Sequence, residues 1–133
     1  MNRLTLAVLF AFVGLSISQF NLECKIKVRF RNEGHSKVRV DLIVPSLQLM
    51  SDPVILTEWK QEKSVDIKGK NCEQKPWTFH VYAWENEEWK LKKKVSSKFT
   101  GNGWFVATVD TDNKIEFNIM ERHGIMCSEG FCG

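Results

Sequence analysis

The sequence predicts an all-β fold: a single small antiparallel β-sandwich, or a closed barrel, of about eight short strands stapled by two disulfides. Three observations carry this expectation. Apolar and charged residues alternate with period two over long stretches, as in Cys24-Lys-Ile-Lys-Val-Arg-Phe-Arg31. Clusters of Gly, Asn, Asp and Pro recur between those stretches, where turns belong. Four cysteines follow an N-terminal segment laid out like a secretory signal. No helical period, internal repeat or low-complexity run competes with this reading.

The N-terminal segment sets the compartment. Arg3 precedes an apolar run, Leu4 to Leu15, and Ser16 and Ser18 stand at minus three and minus one of a cut before Gln19. The run is shorter than the roughly 20 residues of a comfortable membrane span. Residues 1–18 are therefore expected to be a signal peptide, and residues 19–133 one secreted, extracellular, non-spanning domain. The formal net charge of +3 is too mild to imply nucleic acid.

Each strand has its own justification. In Cys24 to Arg31, Cys24, Ile26, Val28 and Phe30 face one way, and Lys25, Lys27, Arg29 and Arg31 the other. The turn chemistry of Asn32-Glu-Gly-His-Ser36 leads into Val38, Val40 and Leu42 inward, with Lys37, Arg39 and Asp41 outward, and predicts a hairpin. Pro45 ends that strand, because proline has no amide to donate. Pro45 to Pro53 is expected to cross irregularly, followed by strands at Val54–Trp59 and Ser64–Lys68. A loop over Gly69 to Pro76 precedes an aromatic strand, Trp77–Trp84, and its partner Glu87–Val95. Gly101-Asn-Gly103 reads as a tight turn, and Phe105–Val109 with Ile115–Ile119 as a closing hairpin. The tail, Glu121 to Gly133, reads as loop.

Cys24, Cys72, Cys127 and Cys132 are even in number in an exported chain, so all four are expected in two disulfides. A zinc site using His123 and Cys127 is the weaker alternative. Up-and-down strands gather the four cysteines at one pole, within the roughly 7 Å that a disulfide needs between Cα atoms. One pairing ties the tail to Cys24 and to Cys72. The other joins Cys24 to Cys72 and closes a small Cys127–Cys132 loop. Long-loop closure favours the first.

The opposite pole collects Asn32, Glu33, the acids of Glu85 to Glu88, and Asp110, Asp112 and Asn113. Hard oxygens on loops are calcium ligands. This placement resembles, in architecture, that of C2 domains, whose loop aspartates hold calcium at one end of a β-sandwich. The resemblance makes Asp110, Asp112 and Asn113 candidate calcium ligands, although Asp and Asn are also ordinary turn formers. Size, export and strand content are similar to those of small secreted transthyretin-like proteins, without shared motif residues. No cofactor is expected.

The hairpin after Trp77 sets the expected site. A three-residue loop puts Ala83 opposite Trp89, Val81 opposite Leu91 and Trp77 opposite Val95, all apolar pairs. His80, Tyr82 and Trp84 then share the outer face with Lys90, Lys92 and Lys94. Rings beside ammonium groups suit an anionic glycan, a lipid headgroup or an extracellular protein. Lys25, Lys27, Arg29, Lys37 and Arg39 supply a second basic stripe. Lysines on outer strand faces also serve solubility alone. No nucleophile elbow, metalloprotease helix motif or phosphate-cradling glycine loop occurs, so the chain is not expected to be an enzyme. The sequence thus points to a secreted binding module. The alternative is a secreted effector, of protease-inhibitor or host-defence type, acting through an exposed loop such as Lys60–Lys63 or the Cys127–Cys132 tail.

Overall fold

A computed structural model describes residues 23–132 of the chain. The expected signal peptide lies outside the described residues. Period-two alternation is realised as β1 (Glu23–Asn32) and β2 (Val38–Val44), with a 3-10 turn at Pro45–Leu47 where proline stops β2. Two short strands follow, β3 (Leu49–Met50) and β4 (Val54–Leu56), then β5 (Glu62–Lys70) and β6 (Trp77–Glu85). The last two are long: β7 (Glu88–Asp110) and β8 (Glu116–Gly130). Among the described residues there is no helix long and apolar enough to cross a membrane.

The strands form one sheet in the order β3-β2-β6-β7-β1-β5, with β4 also on β2 and β8 on β7. The sheet is an open half-barrel, not the closed sandwich or barrel expected. Two departures explain the difference. Gly101-Asn-Gly103 does not turn the chain; β7 runs through it as a bulge, and the supposed tail continues as β8. A Cβ at Gly103 would strike the His123 carbonyl, and one at Gly101 the Gly124 carbonyl, so the missing side chains are what let β8 stay paired across the bend. The first half of β7 thus pairs with β6 and its second half with β1, joining both walls into one sheet.

The sheet is also not purely antiparallel, because β1 runs parallel to β7 from Lys25↔Asn102 to Asn32↔Val109. The expected β1–β2 hairpin does not form. β1 pairs with β5 and β7, whereas β2 pairs with β3, β4 and β6. Both strands bury one face, and they do so in opposite walls of the core. The Asn32 side chain holds the crossing between them, accepting from Gly34 N at 3.0 Å and donating to Ser36 O at 3.0 Å.

Between the walls lies an aromatic core. Phe79 sits among Phe117, Phe30, Phe99 and Phe105, with ring centroids 4.9, 6.1, 6.2 and 6.5 Å away. Trp77 is buried, and its indole N–H donates to Cys72 O at 2.9 Å.

All four cysteines are disulfide-bonded, as Cys24–Cys72 and Cys127–Cys132, with Cα separations of 6.2 and 5.9 Å. This is the pairing that loop-closure entropy disfavoured. Cys24 lies opposite Gly69 on β5, which delivers Cys72 two residues past that strand's end. Cys127 is fixed opposite Phe99 by β8 and meets Cys132 where the chain turns back after Gly130. Strand pairing, rather than loop length, chose the partners.

Candidate ligand-binding faces

The β6–β7 turn decides what the expected site looks like. Asn86 and Glu87 take φ of 51° and 63°, so this is a two-residue turn of the hairpin-favoured kind, and Glu85 faces Glu88. Trp84 then lies opposite Trp89, Tyr82 opposite Leu91 and Ala83 opposite Lys90. A bulge at Lys92 shifts the register, so that Val81 meets Lys93, His80 meets Lys94 and Phe79 meets Val95. The three-residue-loop register is therefore corrected. That register pairs Val81 with Leu91, whereas the two-residue turn sets Leu91 opposite Tyr82 on the outer face, where it is 44% exposed.

The consequence for the candidate residues is a regrouping. His80, Tyr82, Trp84 and Lys94 stay on the outer face, joined by Trp89 and Leu91. Lys90 and Lys92 leave it. Lys92 binds Glu85 at 2.8 Å and Lys90 approaches Glu88 at 3.8 Å. The Lys92 hydrogen bond holds the Glu85 carboxyl below its ordinary pKa. Their places are taken by β2 and the residue before it: Lys37 stands 5.1 Å from the Trp84 ring centre, and the Arg39 guanidinium 4.7 Å from that of Tyr82. Arg39 is also tied to Asp41 at 2.9 Å. The first face is thus a row of rings, with Trp84 40% exposed and edge-to-face against Trp89, flanked by Lys37 and Lys94. Its free positive charge is sparse.

The second basic stripe divides. Lys37 and Arg39 belong to the face just described, while Lys25, Lys27 and Arg29 lie on the outer face of β1, in the other wall. There Trp104 stands beside Lys27, with the Arg29 guanidinium 5.3 Å from its ring centre and His123 stacked on it at 4.3 Å. Arg29 is neutralised by Glu62 at 3.0 Å. Burial works against the Glu62 carboxylate, but hydrogen bonds from Arg31 and Arg29 outweigh it and lower its pKa.

The acidic turn at Asp110 to Asn113 has a structural use. Asp112 accepts from His35 N at 2.8 Å through one carboxylate oxygen and from Ser36 N at 2.9 Å through the other. Asp110 accepts from Asp112 N at 2.9 Å. Asp112 therefore clamps the β1–β2 crossing to the β7–β8 turn. Among the described residues no cluster of three or more His, Cys, Asp or Glu side chains is placed to hold a metal ion.

The backbone amides of His35 and Ser36 lower the Asp112 pKa. A depressed carboxyl stabilises the fold above its unfolded pKa, and that contribution is lost as pH falls through the folded value. Asp112→Ala is accordingly expected to lower the melting temperature at pH 7, with the gap to wild type closing below about pH 4. Thermal melts of both proteins from pH 7 to pH 2 check this. A gap of equal size at both ends would show that the charge of Asp112 is not what holds the clamp.

Two further tryptophans stand out. Trp59 is 55% exposed, between Glu58 and a left-handed Lys60, and is stacked on His35 with ring centres 5.7 Å apart. The Gln61 side-chain carbonyl fixes this loop by accepting from Thr57 N and Glu58 N at 2.7 and 3.2 Å. Trp104 is the other. The alternation Lys25-x-Lys27-x-Arg29 was the available signal for its surroundings; the contact between β1 and β7 was not legible. No family model matches the chain, and no curated protein matches it.

Proposed function

We propose that the chain is a secreted extracellular binding module. Its ring-lined face on β2, β6 and β7 takes an anionic glycan of low charge density, such as a uronate-bearing chain. The observation that carries this reading is the outward presentation of Trp84 and Leu91 beside Lys37. Rings offer flat contact to sugar faces, while Lys37 and Lys94, which form no ion pair among the described residues, suit widely spaced carboxylates. Two disulfides among so few residues are consistent with an oxidising compartment.

The test is titration with a hyaluronan oligosaccharide at two salt concentrations. Trp84→Ala is expected to weaken binding at all salt concentrations, because ring contact is not screened. Lys37→Ser with Lys94→Ser is expected to weaken it mainly at low salt. Both should melt close to wild type, since exposed substitutions usually stay within about 0.5 kcal/mol. Equal binding by all three proteins would leave the face a solubility device.

The Trp59 loop favours a second reading, that of an effector that inserts a loop into a protein target. A tryptophan held out by a pre-ordered loop is what a protein-binding anchor requires, because little ordering entropy remains to be lost on association. Loss of stoichiometric protease inhibition in Trp59→Ala, at unchanged glycan binding, would select it.

A further inference from the structure

The wall opposite the ring-lined face carries a different device. A shallow groove of about 660 Å³ crosses the outer surface of β5, β1 and the second half of β7, and Lys25, Lys27, Lys68, Asp66, Asn102 and Trp104 line it. Past Lys25 and Lys68 it runs on into a second hollow of about 440 Å³ that adds Lys70 and Glu23. These volumes are in the range of ligand sites, and the two hollows in line suit a chain more than a compact molecule.

The charges here are arranged against the interest of the fold. Lys25 lies directly opposite Lys68 in the antiparallel β1–β5 pair, and like charges facing across strands destabilise a sheet. Lys27 is two residues along, about 7 Å from Lys25 on the same face, and lies directly opposite Asp66, so the clash is confined to Lys25 and Lys68. Among the described residues none of Lys25, Lys27 and Lys68 forms an ion pair, whereas Arg29, Arg31, Arg39, Lys60, Lys90, Lys92 and Lys98 all do. Those seven are about half of the other cations among the described residues; Lys25, Lys27 and Lys68 are set apart because, unpaired, they converge on one groove. Solubility asks only that β5, an edge strand, carry charge. It does not ask that Lys68 face Lys25. At the groove's end Trp104 is held between Arg29 and His123, an immobilised ring whose edge adds apolar contact without losing rotamer freedom on binding.

We propose that this groove is a second binding site, for a sulfated glycan segment. Three ammonium groups in a triangle match closely spaced sulfates, and the edge of the Trp104 ring packs against the adjoining sugar. A membrane surface fits less well, since the cations line a hollow, with Asp66 among them, instead of crowning a protrusion. The site does not depend on the Trp84 face. It asks for a ligand of higher charge density than that face does.

The probe is a heparin-derived hexasaccharide titrated calorimetrically into the secreted protein, with a sulfate-free hyaluronan hexasaccharide alongside. Wild type is expected to bind the sulfated probe more tightly. Lys25→Ser with Lys68→Ser should weaken that binding at least about tenfold and lower the slope of log affinity against log salt by about 1.5, the counterion release of two contacts to a dense polyanion. The same variant should melt no lower than wild type, because it removes a like-charge pair. That combination separates a ligand site from a damaged fold. Trp104→Ala should weaken binding without changing the salt slope. Trp84→Ala should leave heparin binding intact whatever it does to hyaluronan, so either site can fail alone. The proposal is overturned if the double lysine variant binds the sulfated probe like wild type. It is equally overturned if wild type does not prefer the sulfated probe, or if Trp84→Ala is the change that abolishes heparin binding.

Discussion

Phe79→Ala is expected to cost about 3–5 kcal/mol of folding stability, among the largest effects of any single side-chain truncation in the described core. Phe79 is fully buried and is the ring around which Phe30, Phe99, Phe105 and Phe117 are arranged. Those four come from β1, β7 and β8, so the cavity left behind would loosen both walls of the half-barrel together. A domain's whole stability is about 5–15 kcal/mol, and the loss is therefore a large share of it. Urea unfolding followed by tryptophan fluorescence measures the change directly. A loss below about 1 kcal/mol would mean that the core closes over the gap, and that Phe79 is not its centre.

The two disulfides are expected to differ in what they contribute. Cys24 and Cys72 are separated by 48 residues, and Cys127 and Cys132 by 5. Chain-entropy scaling gives roughly 4 kcal/mol for the long loop and roughly 2 kcal/mol for the short one. Replacing Cys24 and Cys72 with alanine should add a packing loss as well, because both are buried, whereas Cys127 is half-buried at the end of β8. The expected order is a fold made marginal by the first pair of substitutions and only weakened by the second. Unfolding midpoints of the two double variants decide it. Equal losses would show that the tail loop does more for the fold than its length implies.

What the sequence made legible was local. The alternation placed the inward and outward side chains from Cys24 to Arg31, because period two leaves no other choice once one face is buried; Asn32, read as turn, is the last inward residue of β1. The aromatic strand, the closing hairpin at Asp110 to Asn113 and the use of all four cysteines were readable for the same reason. What the strands pair with was not. β1 and β2 are as good a hairpin by pattern as they are a stacked pair, and only the rest of the core distinguishes the two. Gly101-Asn-Gly103 carries the chemistry of a turn and the geometry of a bulge, since glycine serves either. The register of the β6–β7 hairpin failed on one residue. The turn has two residues instead of three, which moves Lys90 off the ring-lined face, and the bulge at Lys92 adds a place that no pairing rule read from sequence supplies. Trp104 was invisible as a site residue because its neighbours come from β1 and β8, some 75 residues before it and 20 after it in sequence order, by the pairings Lys27↔Trp104 and Trp104↔His123.

The parallel pairing of β1 with β7 also has a bearing on how quickly the chain reaches its native state. Lys25 must find Asn102, so the sheet closes only after nearly the whole domain is available. Contacts this far apart along a chain place a protein among the slow folders, in milliseconds to seconds, because loop closure must precede any reward from pairing. During synthesis β1 emerges first and waits longest. It can engage β5 early, and Cys24 can then meet Cys72 while the side of β1 that β7 will cover is still open. Over that interval the alternating Lys25, Lys27, Arg29 and Arg31 are its protection, since charged side chains along an unpaired edge discourage the strand from joining another copy of itself.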